Sequence, residues 1–98
     1  MTQTERDTRK IAQVSDKFFA EMLQAMFDAY DIGMRGWDDP NCEWWNGDFE
    51  AEILRRVQEK IQAGAKGNEV DIANYMMMLR YLRKLPRPHQ GEDRKEGQ

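Results

Sequence analysis

Three features of the sequence predict an all-α fold, a three-helix antiparallel bundle. Apolar residues recur at intervals of three and four in three separate stretches, the repeat of a helix that buries one face. Gly and Pro fall between those stretches and not inside them, as expected of residues that end helices. No segment alternates apolar and polar residues as a half-buried strand does.

The first helix is predicted over residues 8–32. One apolar line runs through Ile11, Val14, Phe18, Met22, Met26 and Tyr30, and a second through Phe19, Leu23 and Phe27. The ten residues MTQTERDTRK are polar and are expected to fray. Ser15 followed by Asp16 offers an alternative start, which would leave Ile11 and Val14 as an entry segment. Gly33 is the expected stop, because glycine accepts the left-handed backbone that closes a helix.

Residues 33–48, GMRGWDDPNCEWWNGD, hold three Gly, one Pro, two Asn and all three Trp. A connection of this length is usually functional or tied down by its own side chains. The second helix is predicted over 49–63, capped by Asp48. Its stripe is Phe49, Ile53, Val57 and Ile61, widened by Leu54, and Gly64 ends it. The third is predicted over 69–85, with Asn68 as its cap and Asp71 reaching back to it, an arrangement like a capping box.

That third stretch is apolar on most faces, through Val70, Ile72, Tyr75, Met76, Met77, Met78, Leu79, Tyr81, Leu82 and Leu85. Such a helix lies at the centre of a fold or is shared between subunits. Pro86 stops it, and 86–98 is expected to be a disordered tail that includes a solvated His89. Residues 1–85 thus form one domain. A core made by three helices is thin for this much apolar surface, and small domains recover stability by association. A homodimer is expected.

Composition narrows the function classes. No apolar run approaches the ~20 residues of a membrane span, and the polar N-terminus lacks the pattern of a secretory signal. Cys42 is the single cysteine, with no partner for a disulfide and no nearby His to activate it. The expectation is a cytoplasmic protein with a reduced thiol. The net charge of −3 is unevenly spread. Asp31 to Glu52 carries seven acids against Arg35 alone, whereas Arg80 to Gln98 carries six bases against three acids. Nucleic acid is not expected as a partner, since it needs a broad basic face. The bases near Arg80 suit the C-terminal end of a helix dipole.

The segment DIANYMMML, Asp71 to Leu79, resembles a helix of small phage-encoded proteins in the all-α NTP pyrophosphohydrolase group. These are the MazG-like and dATP/dGTP pyrophosphohydrolase-related proteins. RGW at Arg35–Trp37 resembles the Gly-Trp that follows their first helix, and DFEAEILRRVQEKI stands where their first acidic motif begins. The resemblance implies an EExxE helix facing an ExxD helix, which together hold Mg²⁺ against a triphosphate, because hard cations take oxygen ligands. Asp71 matches the last acid of ExxD, and the first falls on Asn68. In one register Glu59, Lys60 and Ala63 take the EExxE positions; in another, Arg55, Arg56 and Glu59 do. At most two of the expected acids are present in either, and a cation stands among them.

Two readings of function follow. The leading one is a small phage-type binding protein, catalytically inert and without a cofactor, that binds a protein stoichiometrically. Its partner would be a host enzyme or defence complex in the host cytoplasm, which it would inhibit. The surface would be the acidic Trp loop: Trp37, Asp38, Asp39, Glu43, Trp44 and Trp45. Trp is over-represented at interface hot spots, and acids steer basic partners. Two of the three Trp could instead staple the loop to the helices. The alternative is an Mg²⁺-dependent pyrophosphohydrolase acting on (d)NTPs through Glu59 and Asp71, with Glu50, Glu52 or Glu69 as replacement ligands. For the polar pair on the third helix, the favoured reading is that Asp71 serves the cap and Asn74 bonds to a neighbouring helix. The Met run is read as core.

Overall fold

The computed structural model describes residues 1–86 and contains three α-helices, with no strand among those residues. They are α1 (Gln3–Asp31), α2 (Phe49–Ala63) and α3 (Asn68–Arg83), with a short 3₁₀ turn at Glu43–Trp45. The expected tail beyond Pro86 lies outside the described residues. None of the helices is long and apolar enough to cross a membrane.

The first helix begins earlier than its apolar stripe suggests. Thr2 Oγ1 accepts from Glu5 N at 3.0 Å, and Thr2 N donates to Glu5 Oε1 at 2.8 Å. This reciprocal capping box satisfies two donors that a helix start leaves open. Helix therefore begins at Gln3, and neither the expected fraying nor the start at Ser15 is observed. The stop is as expected. Gly33 sits at φ +103°, Gly33 N donates to Tyr30 O and Met34 N to Ala29 O, the paired bonds of a Schellman motif.

Helix α2 follows the expected bounds, with Asp48 Oδ1 accepting from Ala51 N at 3.1 Å and Gly64 closing it in the left-handed region. The start of α3 corrects the expected cap. Gly67 is the N-cap residue and offers no side chain, and it is Glu69 that reaches back, accepting from Gly67 N at 2.9 Å. Asn68 and Asp71 turn instead to the end of α2. Asn68 Nδ2 donates to Lys60 O at 3.0 Å, and Asp71 Oδ2 accepts from Lys60 Nζ at 2.9 Å. Carbonyls at a helix end need such donors, and the tight 64–67 turn brings this pair within reach.

The α2–α3 hairpin is antiparallel, pinned at one end by Lys60–Asp71 and at the other by Glu50–Arg83 at 2.9 Å. The α3 helix is the central element: α2 packs on one side and α1 on another, while α1 and α2 do not approach each other. The buried apolar side chains are Trp45, Ile53, Val57, Met78, Leu79 and Leu82. All come from the hairpin and the 3₁₀ turn. Only Met78 of the Met run is buried; Met76 and Met77 face outward, which corrects the reading of the whole run as core. Helix α1 has no buried residue at all. At about 1.5 Å per residue, its 29 residues give the protein its long axis in dimensions of 60 × 32 × 26 Å.

Candidate interaction site at the Trp loop

The loop between α1 and α2 is held from both sides. Gly36 has φ +88°, and a side chain there would meet Cys42 Sγ. Asp39 Oδ1 accepts from Asn41 N at 2.9 Å, an Asx turn that leads into the 3₁₀ turn. Asn46 and Gly47, at φ 52° and 85°, then reverse the chain into the Asp48 cap.

The three Trp residues have separate roles. Trp45 is 1% exposed and lies in the core, where its Nε1 donates to Trp37 O at 3.0 Å. In this position it supports the loop and offers no surface. Trp37 and Trp44 are half-buried. Trp37 packs edge-on against Tyr81 of α3 with centroids 5.5 Å apart, while Trp44 meets Trp45 edge-on at 6.5 Å.

Arg56 of α2 anchors the loop. Its Nη2 donates to Trp44 O at 2.8 Å, and its Nε donates to Glu52 Oε2 at 2.8 Å. The guanidinium lies 5.2 Å from the Trp45 ring centroid and 6.0 Å from those of Trp44 and Tyr75, within cation–π range. Arg55 also bonds to Glu52. Hydrogen bonds from Arg55, then Arg56, hold the Glu52 carboxyl down to about 2. Glu52 is nearly covered, and such a carboxylate is stable only because it is paired.

Above this base lies an open apolar pocket of about 350 Å³, walled by Met26, Phe27, Tyr30, Met34, Trp37 and Trp44 and floored by Met78. Arg35 stacks over Tyr30 at 4.3 Å on its edge. Asp38, Asp39 and Glu43 are exposed on the same loop. An aromatic-walled hollow with few polar groups suits an apolar side chain or ligand.

The hydrolase residues are placed differently. Glu59 bonds to Arg55 on its own helix, while Asp71 is paired with Lys60 across the hairpin. Among the described residues no three His, Cys, Asp or Glu side chains converge as metal ligands. Asp71, Lys60 and Asn74 border a smaller pocket of about 150 Å³ against Ala25 and Ala29. The Asp71 bond raises the Lys60 ammonium above its ordinary value. Asn74 is 4% exposed and its Nδ2 donates to Met22 O at 3.1 Å, the expected bond to a neighbouring helix. Its Oδ1 has no protein partner among the described residues.

Sequence reasoning missed Arg56 and Glu52 as the loop's anchor. Their spacing of four on a helix was a visible sign of an ion pair, but nothing in it pointed to the carbonyl of Trp44. It also missed Met26, Tyr30 and Met34 as pocket walls. No family model matches the chain, and no curated protein or solved structure shows significant similarity to it.

Proposed function

We propose that this protein is a stoichiometric binding module whose site is the Trp-loop pocket. The observation that carries the reading is an open apolar hollow walled by Trp37 and Trp44 on a loop already anchored by Arg56 and Trp45. A loop held in place before binding loses little entropy when a partner arrives. The exposed Asp38, Asp39 and Glu43 suit a protein partner that presents an apolar or aromatic side chain among basic residues. A host enzyme or defence complex, met in the cytoplasm, is the partner class that the phage-type resemblance suggests. The binding unit is a homodimer, supported by the thin core and by the apolar residues that α1 leaves exposed.

The test uses the full chain as bait in host lysate. Trp44→Ala and the triple change Asp38→Lys, Asp39→Lys, Glu43→Lys should each abolish capture of the same partner, with folding checked by circular dichroism. Capture indifferent to both would overturn the site. Pyrophosphate release from dNTPs with Mg²⁺ that disappears in Asp71→Ala would replace the binding reading with the hydrolase one.

A further inference from the structure

Two hollows adjoin between α1 and α3. The apolar one at the Trp loop holds about 350 Å³, and the smaller one beside Lys60 and Asp71 holds about 150 Å³. They share Met26, Ala29, Met34 and Met78 as walls. Asn74 borders the smaller hollow and precedes Met78 by one helical turn, about 6 Å along α3.

Behind that shared wall is an acceptor without a donor. Asn74 is 4% exposed, and its Nδ2 is committed to Met22 O at 3.1 Å. Its Oδ1 is closed off from solvent and has no partner among the described residues. The ammonium in the lining is already engaged, Lys60 Nζ with Asp71 Oδ2 at 2.9 Å. A buried carbonyl oxygen left unpaired is unfavourable and calls for a donor.

We propose that the Trp-loop pocket takes a tryptophan side chain from a basic segment of a partner protein, its ring filling the apolar hollow and its indole N–H donating to Asn74 Oδ1. The proposal rests on the reading of that pocket as the binding site and names what enters it.

Three observations select this occupant. The first is hydrogen bonding. Asn74 Nδ2 and Lys60 Nζ already have acceptors, so the smaller hollow lacks a donor and not an acceptor. Indole is a donor only and meets that need, whereas a phenol would bring an acceptor as well and a phenyl ring would bring neither. The second is shape. Tyr30, Trp37 and Trp44 offer ring surfaces to a further ring, which packs on them edge-on or offset. Met26, Met34 and Met78 stand between the hollows, and unbranched methionine re-packs around an entering group. The third is charge. Asp38, Asp39 and Glu43 are exposed on the loop that supplies the Trp walls, which favours bases on either side of the entering residue.

The test is calorimetry of the full chain with blocked five-residue peptides, a central residue between two pairs of lysines. The tryptophan peptide should bind about 10-fold or more tighter than the 1-methyltryptophan peptide, in which a methyl group replaces the one donor. The phenylalanine peptide should be weaker than the tryptophan one. In Asn74→Ala, with folding checked by circular dichroism, the preference over 1-methyltryptophan should vanish. Methyl resonances of Met26, Met34 and Met78 should move on adding the tryptophan peptide, while those of the outward Met76 and Met77 stay in place. Serines in place of the lysines should weaken binding at low salt.

Equal affinity of wild type for the tryptophan and 1-methyltryptophan peptides, or a preference that survives in Asn74→Ala, would overturn the Asn74 contact. The pocket reading would still stand if Trp44→Ala weakened both peptides. Binding indifferent to Trp44→Ala would overturn the pocket itself. Equal binding of the serine peptide would overturn the basic segment in favour of a free aromatic ligand. A tryptophan peptide that fails to bind at millimolar concentration would overturn the proposal, with capture from lysate remaining as the separate test of the binding module.

Discussion

Helices α1 and α2 are built on the same apolar spacing, yet one is half of a core and the other has no fully buried residue. Ile53 of α2 is fully buried, while Ile11 of α1 is 66% exposed. Both positions look alike along the chain, each an aliphatic residue on a stripe of threes and fours. The difference is made by what lies across from them. Ile53 faces Leu79, Leu82 and Trp45 in one cluster, because the short 64–67 turn folds α3 directly back on α2. Ile11 lies on α1 ahead of the first half-buried residue of that helix, Phe18. An amphipathic stripe states that a face needs covering; it does not state that the same chain covers it.

That contrast can be broken or sharpened experimentally. The largest effect is expected in the compact half. Ile53→Ala and Trp45→Ala should each cost about 3–4 kcal/mol, since both leave a cavity among packed neighbours, and chemical denaturation followed by circular dichroism would measure it. If either costs less than about 1 kcal/mol, the hairpin is not the stable half. Next comes the seam between the halves. Asn74→Ala removes the bond to Met22 O and should cost about 1 kcal/mol. Hydrogen exchange should rise along α1 and stay unchanged in α2 and α3; a uniform rise would mean that the two halves unfold together.

A smaller effect is expected from pH. Glu52 has its carboxyl lowered from the ordinary 4.5 to about 2 by Arg55 and Arg56. A depressed carboxylate stabilises the fold fully above its ordinary value and loses that contribution as pH falls toward the folded value. Wild type should therefore lose stability between about pH 4.5 and 2 in part through this group, and Glu52→Gln should flatten that portion of the profile. A superimposable profile would remove Glu52 from the account. The smallest effect belongs to the exposed first half of α1. Ile11→Ser, measured where the chain is monomeric, should change stability by no more than about 0.5 kcal/mol. A cost near that of Ile53→Ala would show that α1 is packed within its own chain.

Much of this fold was legible in the chain. Helix number and type, the Gly33 stop, the Asp48 cap and the Gly64 end follow from local rules, in which a residue's neighbours are its sequence neighbours. The first turn of α1 was missed because the apolar stripe starts late, although Thr2 and Glu5 carry a capping-box spacing. The site was only half legible. The Trp cluster marked the loop, but which Trp is core and which is pocket wall could not be read, because all three sit in the same few residues and differ only in what folds over them.

The sequence by itself determined where helices form and where they end, because caps, turns and periodicity act within a few residues along the chain. Tertiary structure alone decided which face found a partner, that Arg56 reaches the Trp44 carbonyl, and that Asp71 serves Lys60 rather than its own helix start. Those outcomes depend on distances between segments far apart in sequence. Local propensity carries no information about such distances until the 64–67 turn and the Trp loop set them.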